Sequence, residues 1–394
     1  MKDKRAAVTQ LESVLVILVI LLAGVAAYAF ISKPAPQTTT TGAASAISKL
    51  KVALIVPIAA SDNSWNYQAE ASIKQLQKLY NFTLSITENK FDGSSAQPVA
   101  QQYASQGYNI IILQGIQYMV MASTIAGQYP NTMFVCVDCF AANYSNIYRV
   151  WWDMSEGAFI IGVMAGMVTH TNTLGLIGGG RVPSIWGGHE GFKAGALYAN
   201  PNVKFTEKYE AFSWADSAGA QRDATLAYQN GADVVFSSGD GIDVGVISAA
   251  LAASNSSSTQ VWASNVYSNL SAIRPAVDKI LLGSIVVDWS IIYNAALNSY
   301  VLGNWHNGYL TADMESGIVK VQPGPNVPAN VKKVAYRLQN LFIQGASLLY
   351  FQTNPKTGDP LCFDQPSLPQ CADTSLSNAA AQLNYLPSLS SLQS

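Results

Sequence analysis

The chain has 394 residues, 49% of them apolar and only 12% charged, with a formal net charge of -2. That length and apolar share suffice for two hydrophobic cores, so two lobes are expected. The near-neutral composition lacks the basic footprint of a nucleic-acid binder and leaves Ser, Thr, Asn, Gln and Tyr to form most of the polar surface.

The chain opens with a short cytoplasmic or signal segment, residues 1–13, beginning MKDKR. Residues 14–31, VLVILVILLAGVAAYAFI, are an uncharged apolar run about long enough to cross a bilayer as a helix. The basic residues before it favour a cytoplasmic N-terminus. Secretory apolar regions are usually shorter and end at a small-residue cleavage site, so a retained single-pass anchor is favoured over a cleaved leader. This arrangement also resembles the class III, pilin-like signals of archaeal binding proteins. No cysteine precedes Cys136, which excludes a bacterial lipobox anchor. Residues 32–50, rich in Pro, Thr, Ala and Ser, read as a linker to a domain outside the cell.

From Lys51 the pattern alternates buried-strand runs with amphipathic segments. KVALIVPI is a strand, and WNYQAEASIKQLQKLYN places Ala69, Ile73, Leu76 and Leu79 or Tyr80 on one helical face. Between them lies SDNSWN, where Asp62 or Ser64 is expected to cap the helix. TLSITE, NIIILQG, MFVCVD and IYRVWWD continue the strands, and a long helix, Glu156–His170, follows. A second set begins with TLGLIGGG and runs through IWGGHEGFKAGALYAN, KFTEKYEAF, AGAQRDATLAYQNG, DVVFSSG, GVISAALAAS, QVWASN and ILLGSIVVD. This order predicts an α/β fold of two doubly wound parallel-sheet lobes. Lobe 1 is expected to comprise residues 51–170 and about 288–322, lobe 2 residues 171–287 and about 325–351. Residues 352–394 are expected as a C-terminal extension packed on one lobe, with a frayed end.

In open parallel sheets, ligands bind outside the carboxyl ends of the strands. Polar and aromatic residues gather in those loops: SDNSWN, QGIQY, DCFAAN, FSWAD and SSGDGIDVG. Capping and turn chemistry explain most of them, but not a tryptophan at the start of a helix in each lobe. Trp65 and Trp214 could sandwich a flat ligand in a cleft.

Cys362 and Cys371 frame a Pro-rich loop and could close a local disulfide. Cys136 and Cys139 form a CxxC at a strand end, where that spacing puts the side chains on opposite faces. Buried thiols, or a disulfide made in the following turn, are therefore expected rather than a redox or zinc site. Asn81, Asn143, Asn255 and Asn269 head glycosylation sequons. An enzyme is not expected: there is no GxSxG elbow or HExxH, and His170, His189 and His306 lie far apart. GGGRVPSIWGG lacks both the P-loop ending and the GxGxxG pattern, so no cofactor is expected. His189, beside that glycine turn, is the histidine best placed for a ligand.

Four segments in order, DNSWN, EGAFIIGVMAG, GGGRVPSIWGGHEGFKAG and GADVVFSSGDGIDVGVI, resemble the basic membrane protein family, the PnrA-like nucleoside receptors of ABC transporters. The likeness covers roughly Lys51 to Val321 and implies a type I periplasmic-binding fold. It implies a base stacked between Trp65 and Trp214, with Asn66, Asp138, Gly239, Asp240, Gly241 and Asn265 around the ligand. The chain departs from the family where charged groups grip ribose: those positions fall near Val56, Asn265 and Val287. Asp288 or Trp289 could contribute from the same region. The resemblance implies a cell-surface receptor for a small polar solute, first of all one of the nucleoside class, that delivers it to an ABC permease. A sugar or other small-solute receptor of the same fold and a membrane-anchored sensor are the alternatives.

Overall fold

A computed structural model describes residues 41–62, 64–139, 144–210, 213–256, 258–305, 308–346 and 386–394. The apolar run 14–31, Asn143, Cys362 and Cys371 lie outside the described residues. The described residues from Ala43 to Ser394 form one compact unit. Among the described residues, no helix is long and apolar enough to cross a membrane.

The strands are β1 (Lys51–Ile55), β2 (Thr83–Thr87), β3 (Ile110–Gln114), β4 (Met133–Val137), β5 (Ile147–Trp152), β6 (Thr173–Gly178), β7 (Lys204–Tyr209), β8 (Val234–Ser238), β9 (Trp262–Tyr267), β10 (Leu281–Val287), β11 (Gly308–Ala312) and β12 (Val319–Pro323). They build two six-stranded sheets, ordered β11-β5-β4-β3-β1-β2 and β12-β10-β9-β8-β6-β7. β12 runs antiparallel to β10, while the other described pairings are parallel. Central strands β3, β4 and β8 are buried at every position because helices cover both sheet faces, whereas edge strand β7 is largely exposed.

The helices are α1 (Thr41–Ile47), α2 (Trp65–Tyr80), α3 (Gly93–Ser105), α4 (Met119–Ile125), α5 (Ser155–Val168), α6 (Pro183–Ala199), α7 (Ser217–Gln229), α8 (Asp240–Ser256), α9 (Leu270–Ile273), α10 (Ser290–Val301), α11 (Ala329–Ile343) and α12 (Leu389–Gln393). Helix α2 buries Ala69, Ile73, Leu76 and Tyr80, and leaves Leu79 in solvent.

Among the described residues, three connections carry the chain between the lobes: β5 to α5, β10 to α10, and β11 to β12. Each begins with an aspartate that accepts a backbone N–H shortly downstream: Ser155 to Asp153 (2.8 Å), Ser290 to Asp288 (3.1 Å) and Ser316 to Asp313 (2.7 Å). These Asx-type turns fix the direction in which each strand leaves its sheet.

Two boundaries differ from the sequence expectation. Helix α5 follows a lobe 1 strand but packs on α6, β10, β12 and α11, so it belongs with lobe 2. Strand β12 pairs in the second sheet, although residues up to 322 were expected in lobe 1. The cause for α5 is backbone contact through glycine: a Cβ on Gly162 would sit 2.0 Å from the Phe192 carbonyl oxygen, and one on Gly195 would sit 2.0 Å from that of Phe159. The glycines of EGAFIIGVMAG and GFKAG therefore let α5 and α6 touch main chain to main chain.

The C-terminal residues are docked rather than frayed. Lys333 of α11 donates to the Gln393 and Ser394 carbonyls, Arg337 donates to those of Ser391 and Leu392, and Leu392 is buried.

Candidate functional site

A small cavity of about 40 Å³ opens between the carboxyl ends of the two sheets, lined by Pro57, Trp65, Gly115, Ile116, Gln117, Asp138, Trp152, Val182, Ser184, Ile185, Trp214, Gly239, Asp240 and Tyr267. Of the residues expected at the ligand, Trp65, Asp138, Trp214, Gly239 and Asp240 line it. Asn66, Gly241 and Asn265 do not.

Trp65 is the first residue of α2, and its indole N–H donates to the Gln114 carbonyl at 3.2 Å. Its ring packs edge-to-face against Trp289, Tyr267 and Trp152, with centroids 4.9, 5.1 and 6.1 Å away. Such pairs are favoured by the ring quadrupoles and fix ring orientation. Ser64 occupies the N-cap position but makes no side-chain capping bond. The carboxylate that caps the helix comes from lobe 2: the Trp65 backbone N–H donates to Asp240 Oδ1 at 3.2 Å, and Asn66 Nδ2 donates to Asp240 Oδ2 at 3.3 Å. Asp240 itself opens α8, so the positive ends of two helices from opposite lobes meet at one carboxylate.

Asp138 follows β4 in a left-handed conformation, φ +59°. This reversal overrides the alternation of a continuing strand and lets Cys139 return to Cys136, forming a disulfide with a Cα–Cα separation of 5.5 Å. The turn also presents Asp138 to the cleft. Ser184 Oγ donates to its Oδ2 at 2.9 Å, while Oδ1 is buried with no hydrogen-bond partner. Burial pushes the carboxyl up to about 7, with the Ser184 bond opposing that rise.

On the facing lobe, Trp214 lies over Gly179, where a Cβ would come within 2.7 Å of its ring. The Gly241 N–H donates to the Trp214 carbonyl at 2.7 Å, so Gly241 positions this loop instead of lining the cleft. Asn265 is likewise structural. Its Nδ2 donates to the carbonyls of Val266 (3.2 Å) and Ser268 (2.9 Å), and its Oδ1 accepts from Ser284 Oγ (2.6 Å), which ties β9 to β10. Trp289 is buried behind Trp65, and Asp288 serves the β10–α10 turn.

The cleft also takes in Gln117, Trp152, Ser184 and Tyr267, which were not among the residues expected at the ligand. Two of them carry a visible signal in the sequence: Gln117 lies in the polar loop QGIQY, and Trp152 ends a strand in WWD. Tyr267 reaches the cleft through φ +75°, a backbone feature that its residue type does not announce.

His189 is not at the ligand. Its Nδ1 pairs with Glu207 Oε1 at 2.7 Å and its Nε2 with Ser238 Oγ at 2.8 Å. Burial holds the imidazole below its usual pKa. The Ser-His-Glu order has the form of a hydrolase triad, but Ser238 is fully buried and does not line the cleft. The set ties β8 to edge strand β7. Among the described residues, no group of His, Cys, Asp and Glu is arranged to hold a metal.

Two doubly wound lobes joined by three crossovers, with an aromatic cleft at their strand ends, define the class of type I periplasmic-binding-protein-like solute receptors. The sequence profile described as "Bmp: ABC transporter substrate-binding protein PnrA-like" matches residues 49–347, and the chain belongs to this family. Its members are non-catalytic, extracytoplasmic substrate-binding components of ABC transporters. The chain is 29% identical over 219 residues to the ABC transporter nucleoside-binding protein BmpA of Lactococcus lactis, covering 54% of this chain and 62% of that protein. It is 26% identical over 327 residues to a purine-binding protein of Brucella abortus, covering 80% and 86% of the two chains. A candidate ABC transporter glucose-binding protein of Haloferax volcanii is 23% identical over 297 residues, covering 75% and 73%. Among solved structures, an ABC transporter solute-binding protein of Aeropyrum pernix K1 superposes with a TM-score of 0.71 at 15% identity, covering 84% of this chain and 99% of that one. That likeness speaks to the fold alone.

Proposed function

We propose that this chain captures a small solute of the nucleoside class outside the cell and presents it to an ABC permease, with residues 14–31 as its membrane anchor. The observation that carries the reading is the pairing of Trp65 and Trp214, one from each lobe, across a cavity that also holds the Asp138 carboxylate. The rings offer flat faces for a base, and Asp138 offers its edge a hydrogen-bonding partner. Binding in the closed state draws the lobes together about the three crossovers. The relatives from Lactococcus and Brucella, named for nucleoside and purine binding, support this ligand class. Asn81 and Asn255, both exposed, are the described sequon residues best placed to carry glycans.

The second reading, a sugar receptor, draws on the same rings, which suit the apolar faces of sugars, and on the Haloferax relative. Isothermal titration of the chain with nucleosides and monosaccharides separates the two. A nucleoside response supports the first reading, and a response to sugars alone replaces it with the second.

A further inference from the structure

Three carboxyl groups meet where the lobes are joined, and they come from both sides of the joint. Asp153 and Asp313 follow the carboxyl ends of lobe 1 strands β5 and β11, which pair through Trp152 and Ala312. The Asp153 N–H donates to the Ala312 carbonyl at 3.1 Å, so these two crossovers leave the sheet side by side. Glu156 lies in the first turn of α5, which packs with lobe 2. Its Oε2 accepts the Met314 N–H at 3.2 Å, which holds the carboxyl against the crossover that begins at Asp313. Glu156 is buried, while Asp153 and Asp313 are half-buried and open to protons from solvent.

Like charge dominates this cluster. The charged groups that weigh most on Glu156 are Asp153, Asp313 and Glu315. Among the described residues, no cation acts on Asp153 or Asp313. The titratable groups of the elements packed on α5 are engaged elsewhere or face solvent. On α6, His189 pairs with Glu207, and Lys193 with Glu190 and Glu207. On α11, Lys332, Lys333 and Arg337 donate to main-chain carbonyls. Strand β10 has no titratable side chain, and Lys320 of β12 is exposed. Arg149 of β5 lies over the Tyr309 ring. Burial raises all three carboxyls above their ordinary range, and repulsion within the cluster adds to the rise of Asp153 and Glu156.

The lobes touch across the cleft, where Trp65 and Asn66 donate to Asp240 and Ser184 donates to Asp138. Lobes in contact thus coincide with carboxyls gathered at the joint. Rotation about the crossovers carries Glu156, on α5, relative to the ends of β5 and β11. When ionised, the carboxyls repel, and separation relieves them. A proton on one removes that repulsion and supplies a hydrogen-bond donor to the cluster.

We propose that this cluster makes the joint a proton switch: protonated, it lets the lobes close, and ionised, it drives them apart. The switch does not depend on which solute the cleft takes. The test is single-molecule energy transfer in the full chain, held in lipid nanodiscs without solute. Dyes are attached to ketone-bearing amino acids at Val120 of α4 and Val244 of α8, exposed residues on the cleft side of their lobes. By proton linkage, the ratio of high-transfer to low-transfer molecules should rise roughly tenfold or more from pH 8 to pH 5. Glu156→Gln keeps an acceptor for the Met314 N–H and cannot ionise, so it should show the pH 5 distribution already at pH 8. Asp313→Asn, which keeps an acceptor for the Ser316 N–H, should move in the same direction. Asp138→Asn removes the titrating carboxyl of the cleft and should leave the pH response in place. A distribution that does not change with pH overturns the proposal. So does a response that survives Glu156→Gln and Asp313→Asn but vanishes with Asp138→Asn, since it would then belong to the cleft.

Discussion

The backbone N–H of Trp65 in lobe 1 donates to the carboxylate of Asp240 in lobe 2 at 3.2 Å, so the N-terminus of α2 is capped by the other lobe. Two consequences follow from this bond. It positions one wall of the cleft, and it makes a helix cap depend on lobe closure. A charge-assisted hydrogen bond at a helix N-terminus is worth about 1.5–3 kcal/mol. Asp240→Ala is therefore expected to weaken ligand binding about tenfold or more and to enlarge the radius of gyration of the ligand-free protein in small-angle scattering. Asp240→Asn, which can still accept one bond, should fall between the two. Unchanged affinity and unchanged dimensions in the alanine variant would show that the contact does not hold the lobes.

The glycines of the α5–α6 contact allow a test within a single helix. A Cβ on Gly195 meets the Phe159 carbonyl oxygen at 2.0 Å, whereas one on Gly187, two turns earlier, meets nothing within 4 Å. Gly195→Ala must push two helix backbones apart, an overpacking cost of about 1–3 kcal/mol or more. Gly187→Ala relieves only the helix penalty of glycine and should be neutral or stabilising by up to about 1 kcal/mol. Urea unfolding of the two variants should show midpoints moving in opposite directions, or only the Gly195 variant moving. Equal effects would mean that the helices are not packed this closely.

Several parts of this architecture are legible in the sequence because they arise from local pattern. The doubly wound order follows from short apolar runs alternating with amphipathic segments, and Trp65 and Trp214 stand out because capping chemistry does not need a tryptophan. What was not legible depends on partners far away in the chain. Asp240 and Asn265 are polar side chains of the same length, yet one lines the cleft while engaged with the opposite lobe and the other ties two strands together. Helix α5 follows a lobe 1 strand, and its side of the molecule is decided by glycines that find their counterparts some 30 residues later.

The Cys136–Cys139 disulfide closes a very short loop, so it removes little entropy from the unfolded chain. Its effect should instead be local, on the left-handed turn that holds Asp138. Replacing both cysteines by serine is expected to shift the melting temperature by only a few degrees, and to weaken ligand binding severalfold. A large loss of stability with normal affinity in the folded fraction would assign the bond to the lobe 1 core instead.

Buried carboxyls set the pH dependence. Burial pushes Asp138 up to about 7 and Asp153 up to about 6. At the crossovers, Glu156 is raised well above the usual carboxylate range by burial and then by Asp153, Asp313 and Glu315, against the opposing Met314 N–H. Asp313 is raised by burial against its Ser316 bonds, and Glu190 by burial against Lys193. In each case the folded protein holds a proton more tightly than the unfolded chain, so the folded state gains stability as pH falls through the folded pKa and loses it as pH rises. His189 works the other way. Its depressed pKa stabilises the fold above about 6.5, and that contribution is lost as pH falls further. These raised carboxyls, set against the depressed histidine, predict a melting temperature that climbs from pH 8 to pH 5. Glu156→Gln, which removes a titrating group from the crossover cluster, should flatten that climb, as measured by calorimetry across the range. A melting temperature that falls steadily from pH 8 to pH 5 would mean that these carboxyls titrate near their ordinary values and that the crossovers are wet.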